Sequence, residues 1–382
     1  MPESPGARPA PAAPGPRLAT AVRRGLWTAL VRDADLGRTQ PELREWADAM
    51  VPHVVAARPD VLHAHDYTSL AVALPALERL RAQGTPARLV YDAHEFLPGV
   101  LGHDAVWMAA MTALEERGIA AADEVVTVSE PLARILRERH RLAVPVTVVT
   151  NAPVVEPLPA GAATLRETVG VPGPVPLLVY SGGVAPQRGL DTAVEALPLL
   201  PAVHLALLSG RNRHVEALLR RARDLGVADR VHVTPYVAPA LVSAFVADAT
   251  AGVVTSLHLP NHEISLPTKY YEYALAGLPV VVSDVAEVAA RTRALGNGEV
   301  YPAGDAAAFA AAARRVLAAP DGYRTGYSPQ LRTSFEWAGQ VPALLEVYAR
   351  LAGRAPAPRG APEAFAGSPL ALVPAVVRAS SL

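Results

Sequence analysis

Short runs of β-branched and aliphatic residues recur along the chain, each followed by a turn and a longer stretch whose apolar positions have helical spacing. In the first half VLHAH (61–65), ARLVYDAH (87–94), EVVTVS (124–129) and VTVVT (146–150) read as strands, with helices over 70–82, 104–121 and 131–139. In the second half PLLVYSG (176–182), VHLALLSG (203–210), RVHVTPY (230–236), AGVVTS (251–256) and PVVVSD (279–284) read as strands, with helices over 190–200, 215–225, 239–247 and 269–276. The strand runs are apolar at consecutive rather than alternate positions. A strand of that kind is covered on both faces, as in a parallel sheet flanked by helices. The expected fold class is therefore α/β with two doubly wound domains.

Proline and glycine mark the borders. Six prolines fall in the first sixteen residues, so 1–16 is expected to be a disordered tail, and 354–382 a second one. A Pro/Gly-rich stretch over 152–176 with one short helix divides the chain. The boundaries that follow are a first domain over 17–153, a linker over 154–176, a second domain over 177–336, and a terminal helix over 337–353. Ligands in such sheets bind at the carboxyl ends of the strands. The polar clusters lie there: HAHD and DAHE in the first domain, SGG…RG and NHEISLPTKYYE in the second.

Composition narrows the function classes. The chain is 51% hydrophobic and 19% charged, a globular balance. Thirty-five basic and 36 acidic residues give a net charge of −1, which argues against nucleic acid as a partner and against a polybasic membrane patch. No cysteine is present, so disulfides, thiolate metal ligands and thiol nucleophiles are excluded. The N-terminus has no apolar core of a secretion signal, and the apolar stretch 241–259 is broken by Asp248. A cytoplasmic protein is expected, working alone or in peripheral association with the inner face of the membrane. Lys269 is the single lysine among the 35 basic residues.

Three stretches carry candidate chemistry. In NHEISLPTKYYEYALAGLP, Ser265 could cap a helix with Pro267 in its first turn, turning the free N–H groups of Glu263 to Thr268 into an anion site. Lys269 in that first turn opposes the helix dipole unless it neutralises a bound phosphate. Glu272 shares its face and can accept two hydrogen bonds from a diol such as ribose. The plain alternative is an i,i+3 salt bridge on a solvated helix. In YSGGVAPQRGL, Gly182 and Gly183 end a strand, and Arg188 can make a forked contact to phosphate. Neither GxxxxGK[ST] nor GxGxxG is present, and a purely structural turn is the alternative. In LVYDAHEFLPG, His94 and Glu95 stand at a strand end, with Asp92 placed to orient His94. A histidine satisfied by backbone is the alternative there. His65 and Asp66, beside His63, suit an acceptor side. A metal reading of these His and Asp residues lacks HExxH spacing and draws on two separate loops, so no metal is assigned. No GxSxG elbow occurs.

With these motifs in hand, the chain resembles the GT-B glycosyltransferases of the large retaining family four over residues 60–353. SLPTKYYEYALAGLPVVVSD is similar to that family's lPnKlfEYmaaGlPVv signature, and YSGGVAPQRGLDTAVEAL to its Gly-rich turn. DVLHAHD, YDAHEFLPG, ADEVVTVSE and VVTNAP follow the first-domain landmarks in order. LGNGEVYPAGDAAAFAAAARRVL resembles the closing segment, and SFEWAGQVPALLEVYARL the terminal helix that crosses back onto the first domain. The resemblance implies two Rossmann-like domains facing a cleft, a nucleotide-sugar donor in the second, and a carbohydrate, lipid-linked or small-molecule acceptor on the first. The nucleotide-sugar is then a substrate, and no cofactor or metal is required. Glu272 would hold the ribose. Arg188 and Lys269 would neutralise the diphosphate, helped by Gly182, Gly183 and the backbone near Ser265. His94, with Glu95, would stand at the reacting centre, and the base would lie near Gly210, Arg211 and Tyr236.

Three departures accompany the resemblance. Glu263 and Glu272 have eight residues between them instead of seven, with Glu263 kept in the donor group. Gly183 replaces an arginine of the Gly-rich turn. No strand and Gly-rich loop can be read ahead of DVLHAHD, where RGLWTALV (24–31) reads as a remnant helix, so the first domain is expected to be shortened at its N-terminus. Two other readings follow: a non-catalytic homologue or partner subunit that binds a nucleotide-sugar, and a GT-B nucleotide-sugar epimerase.

Overall fold

The computed structural model describes residues 36–353; both expected tails and the segment 24–31 lie outside them. Two parallel sheets form. The first takes its strands in chain order, β1 (Val61–His65), β2 (Arg88–Ala93), β3 (Glu124–Thr127) and β4 (Val146–Val148). The second holds β5 (Leu177–Ser181), β6 (His204–Leu208), β7 (Val231–Val233), β8 (Ala251–Val254), β9 (Val280–Ser283) and β10 (Gly298–Tyr301), in the order β10-β9-β8-β5-β6-β7. The chain runs outward from β5 on one side, then returns to lay β8 on the other. The carboxyl ends of β5 and β8 therefore diverge, and such a switch point opens a crevice.

Helices α1 (Pro41–Ala57), α2 (Asp66–Ala82), α3 (Ala105–Ala121) and α4 (Glu130–His140) accompany the first sheet. The second has α5 (Asp191–Ala196), α6 (Arg213–Asp224), α7 (Thr268–Leu275), α8 (Ala286–Leu295) and α9 (Ala306–Ala318). The doubly apolar runs lie where that pattern requires: every residue of β3, β5, β8 and β9 is buried. Sequence pattern missed β10 and α1. GEVY is an edge strand with three half-buried residues, so it lacks an apolar run. In α1 only Ala47 and Val51 are buried, and Pro52 interrupts the helical spacing.

One glycine sets how closely α7 approaches the sheet. A Cβ on Gly252 of β8 would lie 2.3 Å from the Tyr273 ring. The bare backbone admits that ring, and the Tyr273 hydroxyl then accepts the Ser181 N–H at the end of β5 (2.8 Å). The linker is tied down by Arg166, which donates to the carbonyls of Pro172, Val175 and Asp248 and to Thr250 Oγ1. The last described helix, α10 (Trp337–Leu351), returns to the first sheet. Its Val347 packs with Val90 and Val126, Arg350 forms a forked ion pair with Glu124 (2.8 Å to each oxygen), and Tyr348 bonds His63 (2.6 Å).

Candidate functional site

Between the carboxyl ends of the two sheets lies a cavity of about 570 Å³. The switch point supplies one wall: Ser181 and Gly182 end β5, Ser256 follows β8, and α7 contributes Lys269 and Glu272. The loop after β2 supplies the opposite wall with His94 and Glu95. Direct contacts join the walls at one end. Asn261 accepts the Phe96 N–H (2.7 Å) and donates to its carbonyl (3.2 Å), and Ser129 donates to the Ile264 carbonyl (2.6 Å).

Glu272 and Lys269 do not form the surface ion pair that their spacing allows. Both are buried. Glu272 accepts a 2.5 Å hydrogen bond from Ser181 Oγ. Burial pushes its carboxyl up, and Ser181 and the Lys269 charge pull it back. Lys269 lies with Nζ 4.7 Å from the centre of the Tyr180 ring, a cation–π contact. Its amine is pushed down to about 8, first by burial and then by the charge of Arg188. Gly182 has φ +106°, and a Cβ there would stand 3.4 Å from Lys269 Nζ, so a glycine leaves that ammonium open to the cleft.

Arg188 follows on the same wall and donates to His262 Nε2 (3.4 Å), while His262 Nδ1 donates to the Leu257 carbonyl (2.8 Å). Burial lowers the His262 imidazole, the bond to the Leu257 carbonyl works against it, and the charges of Arg188 and Lys269 lower it further. No carboxylate within 4 Å is paired with Lys269 or Arg188 among the described residues. The wall therefore holds two cations close enough to repel, which is the arrangement of an anion site. A neighbouring pocket of about 260 Å³ shares Ser181, Gly182 and Glu272 with the cleft, and is lined further by Gly183, Gly210 and Tyr236. Tyr236 is 85% exposed, so its ring is available to a planar ligand.

The first-domain wall is organised differently. Asp92 Oδ2 accepts from His94 Nε2 and from His65 Nδ1, each at 3.1 Å. Burial pushes the Asp92 carboxyl up, but these two bonds overcome it and hold the group well below the usual carboxylate range. The Asp92 bond in turn raises His94. His63 is lowered to about 4, chiefly by burial. Burial, then the charge of Asp66, raise Glu95.

Four expected placements need correction. Glu263 turns away from the cleft: it pairs with His258 (2.6 Å) and accepts the Ala286 N–H at the start of α8 (2.7 Å), where the helix dipole favours a carboxylate. Arg211 pairs with Glu216 (2.7 Å) on the exposed side of α6. Ser265 lines the cleft but caps no helix. Its hydroxyl donates to the Asn261 carbonyl (2.8 Å), and α7 starts only at Thr268 with Pro267 at the N-cap. Asp66, in the left-handed region at φ 65°, accepts its neighbour Tyr67's N–H (2.8 Å), so its carboxylate serves the start of α2. The sequence reading passed over His262 and the pairing of Ser181 with Glu272. His262 lies seven residues before Lys269 in the same post-strand cluster, and its polarity there was the available signal.

Comparison with known proteins gives the same picture for both halves. Residues 4–153 match the model described as "Glycosyltransferase Family 4", and residues 175–319 the one described as "Glycosyl transferases group 1". A D-inositol 3-phosphate glycosyltransferase of Xylanimonas cellulosilytica is 32% identical over 260 residues, covering 64% of this chain and 60% of that relative's length. Sucrose-phosphate synthase from Thermosynechococcus elongatus superposes with a TM-score of 0.67 at 20% identity, over 82% of this chain and 80% of that one. Anabaena HepE in complex with UDP-glucose gives 0.64 at 20%, over 83% and 84%. At that identity the likeness carries the fold, two facing Rossmann-like domains of the GT-B type. No helix among the described residues is long and apolar enough to cross a membrane.

Proposed function

The chain belongs to the family-four and group 1 glycosyltransferases through its first and second domains respectively, and on that premise we propose that it moves a sugar from a nucleotide-sugar to a carbohydrate, lipid-linked or small-molecule acceptor, with retention of configuration and without a metal in the transfer step. One observation carries the reading: Lys269 and Arg188 share a cleft wall and neither is paired with a carboxylate within 4 Å among the described residues, beside the buried pair Glu272 and Ser181. A nucleoside diphosphate presents the complement, two phosphates next to a diol.

In this reading Glu272 gives up its bond from Ser181, or shares it, to accept the ribose hydroxyls. The base enters the pocket at Gly210 and Tyr236. Lys269, Arg188 and the backbone N–H of Gly183 face the diphosphate, and Gly182, whose own N–H is spent on the Leu208 carbonyl, leaves room for it to approach. As the bond from the sugar carbon to the phosphate oxygen breaks, charge grows on that oxygen, and these pre-placed groups stabilise it. The acceptor hydroxyl attacks from the same face and passes its proton to the departing phosphate. His94, fixed by Asp92, contacts the sugar from across the cleft. A cytoplasmic location, at the membrane face where the acceptor is lipid-linked, belongs to the same reading.

Thermal shift and calorimetry with UDP, GDP, ADP and dTDP test it, on the wild type and on Glu272→Ala. One nucleotide is expected to stabilise the wild type and lose its effect in the variant. Binding of none overturns the proposal. Product NMR with the matching sugar donor then reports the anomeric configuration, and chelator reports the metal requirement. Conversion of donor without acceptor would favour an epimerase. Binding without turnover would favour a non-catalytic homologue or partner subunit.

A further inference from the structure

His63 and His65 stand two residues apart on β1, so both side chains leave the same face of the strand. Their rings stack at 4.2 Å and 16°. In the parallel register His65 is opposite Asp92 of β2. One nitrogen from each histidine and one Asp92 oxygen lie within 4.8 Å of one another. His65 Nδ1 is 3.1 Å and His63 Nε2 3.8 Å from Asp92 Oδ2. Residues that the sequence places on two separate loops are thus brought to adjoining strand ends.

His63 is the informative member. Its Nε2 is buried and has no hydrogen-bond partner. Its Nδ1 lies 2.6 Å from the Tyr348 hydroxyl. When Nδ1 donates to that oxygen, Nε2 turns a bare lone pair towards a carboxylate. When Nδ1 accepts, the protonated Nε2 lies 3.8 Å from Asp92 Oδ2, beyond hydrogen-bond range. Either way His63 Nε2 is left without a partner in the protein, and in the first tautomer its lone pair is free to bind a cation.

We infer that His63, His65 and Asp92 form a binding site for a divalent transition ion of the zinc type. Donors at the usual Zn–N and Zn–O lengths of about 2.0–2.2 Å sit roughly 3.3 Å apart around a tetrahedral ion; the two histidine–Asp92 distances, 3.1 and 3.8 Å, bracket that spacing, and a turn of one imidazole out of the stack would aim both in-plane lone pairs at the same ion. Two imidazoles and one carboxylate suit zinc. A cavity of about 180 Å³, lined by the same three residues and His94, leaves a fourth position for water. Tyr348 accepts the remaining His63 N–H, the outer bond that typically fixes the tautomer of a metal-bound histidine. The site adjoins the His94 contact of the proposed function but needs no nucleotide-sugar, so metal binding is read independently of transfer; an ion takes the place of the proton that His65 Nδ1 gives Asp92. An ion here competes with His94 for Asp92 Oδ2.

The test uses the full chain, stripped with chelator and titrated with Co²⁺ as a spectroscopic stand-in, then with Zn²⁺ by calorimetry. One ion per chain is expected, with the intense visible bands of a low-coordinate Co²⁺ site that Zn²⁺ abolishes. Tyr348→Phe, which keeps all three ligands, should weaken Zn²⁺ about 10–100-fold, and His63→Gln by more. His204→Gln, in the other stacked histidine pair (with His232, 2.9 Å), should leave affinity unchanged. Thermal melts confirm that each variant folds. The inference is overturned by absence of the bands, by their survival in both His63→Gln and Asp92→Asn, or by equal loss in His204→Gln.

Discussion

The two walls of the cleft manage charge in opposite ways. On the second-domain wall, Lys269 and Arg188 share one neighbourhood and no carboxylate pairs with either among the described residues, so burial and mutual repulsion lower the lysine. On the first-domain wall three histidines converge on Asp92, which ends up more acidic than usual. In the proposed function an anion completes the first arrangement. In the second, Asp92 Oδ2 carries the bonds from His94 and His65, and His63 Nε2 alone is left unpartnered. The contrast is between like charges left unpaired, which point to where a ligand's charge would go, and a carboxylate with hydrogen-bond donors around it, which orients them.

Removing the lysine should break the comparison most sharply. Lys269→Met is expected to lower kcat/KM about 10²–10³-fold, the scale of losing one transition-state donor, while raising thermal stability because an unpaired buried charge is replaced by an apolar chain of similar length. A variant that loses stability would make Lys269 a structural residue. The pH dependence carries a defined sign. The folded lysine titrates near 8, below its ordinary 10.5, so the native state binds fewer protons than the unfolded chain in between. The cost of burying the charge is fully present below about 8 and is relieved as pH rises towards 10.5. The stability gap between Lys269→Met and wild type should therefore narrow over that window, read by denaturant melts at each pH. Nucleoside diphosphate affinity should fall over the same range.

Glu272→Ala should cost roughly 10–100-fold in nucleotide affinity, as for hydrogen bonds to a charged group, measured by calorimetry. On the other wall, Asp92→Asn should lower the His94 pKa, followed by NMR titration of the imidazole. The His94 shift is upward, so its contribution to stability is present below the ordinary imidazole value and is lost as pH rises through the raised one. An unmoved His94 would mean that Asp92 does not hold it. The smallest effect belongs to Arg211→Ala: its exposed pair with Glu216 is expected to change nucleotide affinity less than about twofold.

Much of the second domain was legible because its strands are buried on both faces and their polar residues cluster at the strand ends. Lys269 stood out as the single lysine of an arginine-rich chain. Glu263 was misplaced because proximity in NHEISLPTK says nothing about direction: His258 and the start of α8 pull its carboxylate to the far side. Arg211 failed for the same reason, through a local partner five residues on. The bond from His94 to Asp92 was legible in DAHE, but the joining of His63 and His65 to that hub was out of reach for a different cause. It depends on the register of β1 against β2 and on a tyrosine from the far end of the described chain, neither of which local pattern encodes.

The return of α10 to the first sheet has a mechanical consequence. The backbone passes between the lobes twice, near Pro153 and near Trp337, and the Trp337 N–H donates to the Pro153 carbonyl (2.9 Å), clasping the two crossings together. A single tether would let one lobe swivel and slide over the other. Two tethers clasped side by side act as a hinge pin and leave chiefly one rotation. Any parting of the lobes would then be a rotation about that line, and its reversal would bring His94 back to the cleft it shares with Lys269.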